Sequence, residues 1–583
     1  MNKEIVLHNY SQVWSEIIID QLVKMGVQHF FCCPGMRNAP LLRAANNHNV
    51  AHIYQGFDER SQSYRALGFI KSSGLPTVLI CTSGTAVANF LPAVIEAQKT
   101  MLPLIVISAD RPGELNCVDA NQTINQIEVL RDYTKAFWHL SEPQANYSLK
   151  SLAGQLCHSI SQATSKPCGP IHLNVPLREP LDLTSETIDQ QTYKDAVCIL
   201  DQRHEQIVFE NTRETLSHEQ LENIITKIAK AKSPLVIFAP LSRKESHQIT
   251  HIKKFLQKYK GNYYCDVETG GKFDLGAETG LIPSLDHPEV LHELTMSKPD
   301  LVIHIGHRLT SKHYYSFLSD IQSDSEIIQV THSPFHQDPG FSFQKRIECD
   351  PITFIKQINE VMSSVTTPKS NLTSKWASLI KKKEDIIEEG PLSYAYVSKK
   401  SIETLSNLKQ AFIGNSTFIR SFDSYASFKG QQKSINIFAS RGASGIEGHL
   451  ATALGIYEGS PSPTALFLGD ISLIHDFGSL FNLADKEIPL LIVVANNNGG
   501  GIFNLLPIAK DTKTLPLLTT PHTYQFTKTA ASLGIDSIQI QTKQEFENEI
   551  KKWNKSPKLK FIEVIIDDDN NKKVYELLKT VKL

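Results

Sequence analysis

The chain lacks the features that would set it apart from ordinary globular enzymes. No uncharged apolar run of the roughly 18 residues that mark a membrane-spanning helix occurs in its 583 residues. Charge of one sign does not dominate. The formal net charge is −2, so there is no global basic field of the kind that gathers nucleic acid. The nine cysteines are odd in number and contain no C-x-x-C pair. A disulfide framework is therefore not expected, and buried, reduced thiols in a cytoplasmic protein are. Low-complexity tracts and short-period repeats are absent. So is a G-x-G-x-x-G turn, which a dinucleotide-dependent oxidoreductase would need.

What is present is ordinary in composition, with 41% hydrophobic and 21% charged residues. The length suits roughly three or four domains. The first 26 residues mix acids into their apolar stretch, which predicts an amphipathic helix and not a signal peptide. Further on, short continuous apolar runs alternate with amphipathic stretches, the pattern of parallel sheets covered on both faces by helices. Strands are predicted at 28–33, 52–54, 77–82, 104–109 and 171–175, then 235–238, 301–305 and 327–330, then 411–413, 435–438, 465–468, 490–495 and 561–566. Polar stretches separate these three groups. The expected fold class is α/β, three doubly wound parallel-sheet domains. The domains are expected at 1–185, 216–365 and 366–583, with a linker at 186–215.

The most informative segment is LFLGDISLIHDFGSLFNLADKEIPLLIVVANNNGGGIF at 466–503. One apolar strand ends in Gly469-Asp470 and the next in Asn496-Asn497. Asp470 and Asn497 lie 27 residues apart. That length accommodates a strand, a helix and a returning strand, so the two side chains can meet at neighbouring strand ends. Ligands of open α/β sheets bind outside those carboxyl ends. A carboxylate and an amide oxygen are hard ligands, suited to Mg²⁺ that also holds phosphate oxygens. The adjoining glycines let the backbone approach, so the Gly499 carbonyl can serve as a third ligand. An ordinary β-α-β unit with a turn aspartate is the plain alternative.

Gly-Asp-x-Ser followed by Asn-Asn resembles the cofactor motif of the thiamine-diphosphate decarboxylase and acetohydroxyacid-synthase superfamily. The resemblance implies thiamine diphosphate, with Mg²⁺ or a substituting Mn²⁺ held by Asp470, Asn497 and Gly499. It also implies a glutamate from the N-terminal, pyrimidine-binding domain. That glutamate hydrogen-bonds the aminopyrimidine ring and so promotes loss of the thiazolium C2 proton. Glu59, in DERSQSYRALG at 58–68, matches it. Its plain alternative is a solvated carboxylate at the positive end of a helix dipole.

Nearly the whole chain resembles one branch of this superfamily, the synthases of menaquinone biosynthesis. The match is carried by CPGMRNAPL (33–41), CTSGTAVANFLPAVIEA (81–97), SADRPGELNCVDANQTINQ (108–126), GPIHLNVPLREPL (169–181), GHRLTSK (306–312), GNSTFIR (414–420), SRGASGIEG (440–448) and NNNGGGIFNLLP (496–507). It implies decarboxylation of 2-oxoglutarate and conjugate addition of the four-carbon fragment to isochorismate. Substrates so rich in carboxylates need cations, and arginine's planar fork grips a carboxylate with two charge-assisted hydrogen bonds. The motifs supply Arg37, Arg111, Arg420 and Arg441, with Lys312. Gln122 and Ser416 are implied as polar contacts, and Ile502, Phe503 and Leu506 as an apolar wall. Ile446 is implied as the bulky residue beneath the cofactor. Two places depart from the pattern. The usual PGSRS reads PGMRN, putting Met36 and Asn38 where serines stand, and His313 follows Lys312 where many relatives carry arginine. A thioether is only a weak acceptor, so Met36 cannot donate as a serine would.

Other readings are another thiamine-dependent decarboxylase or carboligase, such as an acetohydroxyacid synthase, and a non-catalytic relative that has kept the fold. The former would need a smaller, more apolar donor pocket; the intact Glu59, Asp470 and Asn497 argue against the latter. The superfamily resemblance further implies a homodimer or dimer of dimers with active sites at the interface, while composition and charge predict no membrane span and no nucleic-acid partner.

Overall fold

A computed structural model describes residues 6–202, 204–210, 215–241, 248–275, 280–363, 372–426, 435–484 and 486–582. Three parallel sheets carry the fold. The first contains β1 (His29–Cys32), β2 (His52–Gln55), β3 (Thr77–Cys81), β4 (Leu104–Asp110), β5 (Ala136–His139) and β6 (Ile171–Pro176), in the order β2-β1-β3-β4-β6-β5. The second contains β7 (Pro234–Phe238), β8 (Asn262–Cys265), β9 (Leu301–Ile305), β10 (Glu326–Thr331) and β11 (Lys345–Glu348), ordered β11-β10-β9-β7-β8. The third contains β12 (Gln410–Ile413), β13 (Asn436–Phe438), β14 (Thr464–Gly469), β15 (Leu490–Asn496), β16 (Ser537–Ile540) and β17 (Lys560–Ile565), ordered β13-β12-β14-β15-β17-β16. The first and third sheets thus follow the same path. In each, the chain reverses direction across the sheet at one point, between β1 and β3 and between β12 and β14. Central strands such as β3, β4 and β15 are buried along their whole length, as helices on both faces require.

The described residues form two compact units. One comprises those of Met1–Thr212, with Gly442–Ser444 and Leu454–Pro461. It holds the first sheet. The helix Tyr10–Lys24 is capped by Asn9, whose side chain accepts from the Gln12 N–H at 2.9 Å, and it buries Val13, Trp14, Ile17 and Ile18 against this sheet's core. Part of the polar stretch at 186–215 is helical. A helix, Gln190–Leu200, starts on the Asp189 cap and sends Ala196 and Ile199 into the same core. Its apolar residues are too sparse to stand out in composition. Residues 211–214 of that stretch lie outside the described residues. Within this unit two helices cross at close range. A Cβ on Gly455 would sit 1.9 Å from the Arg65 carbonyl oxygen, and Arg65 grips Glu458 with two bonds of 2.7 and 2.5 Å.

The other unit comprises Arg213–Arg441, Gly445–Ala453 and Ser462–Leu583, again among the described residues, and holds the second and third sheets. Most of the polar stretch expected near 363–375, namely 364–371, is outside the described residues. The helix that follows, Leu372–Glu389, packs Trp376 and Leu379 into the core of the second sheet. A buried polar cluster joins the two sheets. Asp423, after β12, accepts from Tyr264 Oη at 2.8 and 2.7 Å and pairs with Lys272 Nζ at 2.6 Å. Among the described residues, no helix is long and apolar enough to cross a membrane.

Candidate functional site

The strongest cluster of site residues stands at the reversal point of the third sheet, where ligands of such sheets bind. β14 and β15 are paired neighbours with Gly469 beside Ala495, so Asp470 and Asn497 leave adjoining strand ends. Asp470 is only 2% exposed. Its Oδ2 accepts the Gly499 N–H at 2.8 Å and lies 3.2 Å from His522 Nε2. Burial pushes this carboxyl up, and the N–H groups of Gly499 and Ile471 pull it back. Asn497 accepts from Tyr394 Oη at 3.1 Å and donates to Asp568 Oδ1 at 2.9 Å. The glycines here are structural necessities. Gly499 has φ +144°, and a Cβ on it would meet the Thr519 carbonyl at 2.5 Å. A Cβ on Gly501 would fall 2.0 Å from the Asn497 amide nitrogen.

These residues fit a hydrated divalent cation that also holds phosphate. Asp470 is a buried carboxylate with no lysine or arginine paired to it among the described residues, and the Asn497 amide and a glycine-rich turn adjoin it. Hard oxygen donors in that arrangement suit Mg²⁺.

The loops after β12 and β13 meet beside this cluster. Asn415 Nδ2 donates to the carbonyls of Ser440 (2.8 Å) and Gly445 (2.5 Å), and its Oδ1 accepts from Arg441 Nη1 at 3.0 Å. One amide thereby fixes both motifs, including the segment that carries Ile446. Arg420 Nη1 donates to the Ser416 carbonyl at 2.6 Å, and Ser416 itself has φ +71°. Arg308 Nη2 reaches the Arg441 carbonyl at 3.3 Å.

A cavity of about 930 Å³ opens here within the same unit. Lys312, Arg420, Arg441, Ile502 and Leu506 all line it, as do Arg308 and His313. Burial lowers the Arg441 guanidinium's affinity for its proton. Glu268 offsets this, and the nearby Arg420 and Arg308 add to it. Arg308, Lys312, Arg420 and Arg441 thus bring several cations into one cavity wall, with Asp286 also lining it. Ser416 and Phe503 are not in that wall. Ser416 adjoins it through Thr417, and Phe503 packs its ring on Gly500. Asp266 holds the GHRLTSK loop in place, its Oδ2 accepting the Thr310 N–H at 2.8 Å. Burial, reinforced by Asp423, pushes the Asp266 carboxyl up to about 7.

The other unit presents a second cluster at the reversal point of its own sheet. Glu59 opens the helix Glu59–Ser73, whose cap Asp58 accepts from the Ser61 N–H at 2.9 Å. Burial raises the Glu59 carboxyl. Its backbone N–H lowers it, and Asp58 adds a smaller upward push. Burial raises the thiols of Cys33 and Cys81 and Glu59 adds to both, so its carboxylate lies near the ends of β1 and β3. Arg111 Nη1 donates to the Gln122 carbonyl at 2.6 Å and to Ser83 Oγ. Gln122, at φ +57°, sends its amide to the Ser83 carbonyl at 3.0 Å. Arg37 donates to the Leu177 carbonyl at 2.9 Å. Its proton affinity is lowered first by burial and then by Arg111, which places the two guanidiniums near each other. The two departures at this motif differ in kind. Met36 is 62% exposed, whereas Asn38 is buried and donates to the Cys33 carbonyl at 2.9 Å. Asn38 thus braces the strand end.

Several contributors carry no sequence signal of their own. Tyr394, Asp568, His522 and Asp266 reach the site from distant elements. Arg308 alone stands inside a motif quoted from the sequence.

Residues 13–129 match the family model of the thiamine pyrophosphate enzyme N-terminal TPP binding domain. Residues 413–564 match that of the C-terminal TPP binding domain. Three relatives are named 2-succinyl-5-enolpyruvyl-6-hydroxy-3-cyclohexene-1-carboxylate synthase. The one from Chlorobium phaeovibrioides is 30% identical over 577 residues, covering 97% of this chain and 96% of its own. The one from Syntrophus aciditrophicus is 31% identical over 581 residues, covering 99% of each chain. The one from Bacillus velezensis is 31% identical over 563 residues, covering 94% of each.

Proposed function

The chain belongs to the family of 2-succinyl-5-enolpyruvyl-6-hydroxy-3-cyclohexene-1-carboxylate synthases, thiamine-diphosphate-dependent transferases of menaquinone biosynthesis, and on that premise we propose how its residues divide the work. The reaction is decarboxylation of 2-oxoglutarate and conjugate addition of the remaining four-carbon fragment to isochorismate. Bound thiamine diphosphate supplies the electron sink that makes loss of CO₂ and the new carbon–carbon bond accessible. Asp470, Asn497 and the Gly499 carbonyl would hold Mg²⁺, or Mn²⁺ in its place, against the diphosphate. Ile446 would support the cofactor from below. Glu59 would hydrogen-bond the aminopyrimidine ring and hold the proton that ring exchanges. A carboxyl raised by burial suits a shared proton better than a solvated one does.

Arg420, Arg441 and Lys312 would grip substrate carboxylates across the cavity, with Ser416 as a polar contact and Ile502, Phe503 and Leu506 as the apolar side. Arg37, Arg111 and Gln122 would serve the remaining carboxylates from the glutamate-bearing unit. The observation that carries this reading is the cavity wall, where Arg308, Lys312, Arg420 and Arg441 gather with Ile502 and Leu506 of the segment that follows Asn497. Such a wall suits a dicarboxylic donor and not the small apolar donor of an acetohydroxyacid synthase. The discriminating experiment compares CO₂ release from 2-oxoglutarate and from pyruvate. The reading expects kcat/KM for 2-oxoglutarate to be higher by orders of magnitude; equal values would remove the cations from donor selection.

The three domains would run 1–185 (pyrimidine-binding), 216–365 (central) and 366–583 (diphosphate- and metal-binding), joined through 186–215. The active form would be a homodimer or dimer of dimers, in which Glu59 of one copy serves the diphosphate end of another. All nine cysteines are free, in keeping with a reducing, cytoplasmic setting.

A further inference from the structure

One carboxylate beside the proposed metal ligands has no role in the scheme above. Asp568 is the first residue of the helix Asp568–Thr580 and is half-buried. The helix is capped by its neighbour Asp567, which accepts the Asn570 N–H at 2.8 Å. The two oxygens of Asp568 go elsewhere. Oδ1 accepts from Asn497 Nδ2 at 2.9 Å, and Oδ2 accepts from Asn504 Nδ2. The helix is a firm mount. Val574 and Leu578 pack in the core of the third sheet, and Asn571 Oδ1 accepts the Tyr394 N–H at 3.2 Å. Just upstream, the Ile566 N–H donates to the Asn496 carbonyl at 2.9 Å. Both amides come instead from the glycine-rich turn. Asn497 is a proposed metal ligand, and Asn504 stands among Ile502, Phe503 and Leu506. A Cβ on Gly501 would fall 2.0 Å from Asn497 Nδ2 and 2.3 Å from Asp568 Oδ1. The turn thus leaves out a side chain at the point where amide meets carboxylate.

An asparagine amide binds a hard cation through its oxygen only, because its nitrogen is a donor. Something must fix which way round the amide lies. Tyr394 Oη, 3.1 Å from Asn497 Oδ1, does not do this alone. A hydroxyl both donates and accepts, and this one also reaches the Ala495 carbonyl at 3.4 Å. An ionised carboxylate only accepts. Asp568 therefore takes the NH₂ end of Asn497 and repels its oxygen, which leaves Oδ1 on the Tyr394 side. Its other oxygen holds Asn504 in the same sense. An acid placed merely to suit the helix dipole needs neither amide. Asp569, one residue on and exposed, is an acid of that plain kind.

We propose that Asp568 is a positioning residue with two tasks. It keeps the oxygen of Asn497, and not the nitrogen, available to the metal, and through Asn504 it holds the segment that carries the apolar wall of the cavity. The inference rests on the functional reading given above and gives the metal site and the substrate wall one shared support.

Thiamine diphosphate binding to the full-length protein, titrated with Mg²⁺ and followed by quenching of protein fluorescence, tests the first task without turnover. Each variant is checked for an unchanged melting temperature. Asp568→Ala should raise the Mg²⁺ concentration for half-saturation about tenfold or more, the scale of losing a partner that orients a metal ligand. Asp569→Ala removes the same charge from the same helix turn and should stay within about twofold of the wild type, as an exposed, screened charge does. Asp568→Asn keeps one acceptor and should recover part of the loss. For the second task, KM for 2-oxoglutarate is measured at saturating Mg²⁺ and cofactor. Asp568→Ala should raise it severalfold. Asn504→Ala should raise it likewise while leaving the Mg²⁺ requirement near that of the wild type. Equal Mg²⁺ requirements for Asp568→Ala and Asp569→Ala would overturn the orienting task, as would equal values for Asp568→Ala and Asp568→Asn. A wild-type KM in Asn504→Ala would overturn the shared support. A wild type that binds Mg²⁺ and thiamine diphosphate without consuming 2-oxoglutarate would instead strike the functional reading, and the Mg²⁺ titration would still decide the role of Asp568.

Discussion

Lys272 Nζ lies 2.6 Å from Asp423 Oδ1, with the carboxylate fully buried and Tyr264 Oη donating to the same carboxylate. This pair joins the second sheet to the third, and Ser424 and Tyr425, next in sequence to Asp423, line the cavity. Lys272→Met should leave an uncompensated buried charge and cost about 3–5 kcal/mol of stability. Thermal and denaturant unfolding would register it; a loss below about 1 kcal/mol would mean the carboxylate is neutral in the folded protein.

Glu59→Gln keeps the shape and hydrogen-bonding reach of the side chain and removes its ability to hold a proton. Cofactor binding, followed by quenching of protein fluorescence, should survive. Turnover should fall by orders of magnitude, about 10² or more for loss of a positioned acid–base group. Near-wild-type turnover would remove Glu59 from its role.

Asp470→Asn should act differently, because it takes a negative charge from the proposed metal site. Thiamine diphosphate retention should weaken and should demand higher Mg²⁺. An unchanged Mg²⁺ requirement would contradict the assignment.

Co-expression of those two variants tests the shared site. In a mixed dimer of Glu59→Gln and Asp470→Asn chains, one interface keeps an intact Glu59 and an intact Asp470. At limiting Mg²⁺ and thiamine diphosphate, activity should therefore rise above that of either parent. No rise, with mixed dimers demonstrated, would mean that each chain completes its own site.

Asp266 predicts a pH dependence. Its folded value of about 7 exceeds the unfolded value of about 4, so the folded state binds the extra proton in between. Its contribution to stability is present below about pH 4 and is lost as pH rises through about 7. Asp266→Asn should flatten that fall. Parallel stability profiles for wild type and variant would contradict it.

Much of the fold was legible because parallel strands buried on both faces read as continuous apolar runs. β5, β8, β11 and β16 escaped, and all four are edge strands. KRIE in β11 is charged and half exposed, and SIQI in β16 alternates too weakly to stand out. Asp470, Asn497 and the glycines were legible because their chemistry and spacing lie within one β-α-β unit. Tyr394, Asp568 and Asp266 were not, since each acts on the site through a contact made only after folding. Asn38 shows the opposite case. It stands in a site motif, yet its side chain braces the Cys33 carbonyl.

The most direct measurement is CO₂ release from 2-oxoglutarate by the purified protein with Mg²⁺ and thiamine diphosphate, with and without isochorismate. The account predicts release that depends on isochorismate and matches its consumption. Release at the same rate without isochorismate, with isochorismate unconsumed, would contradict it.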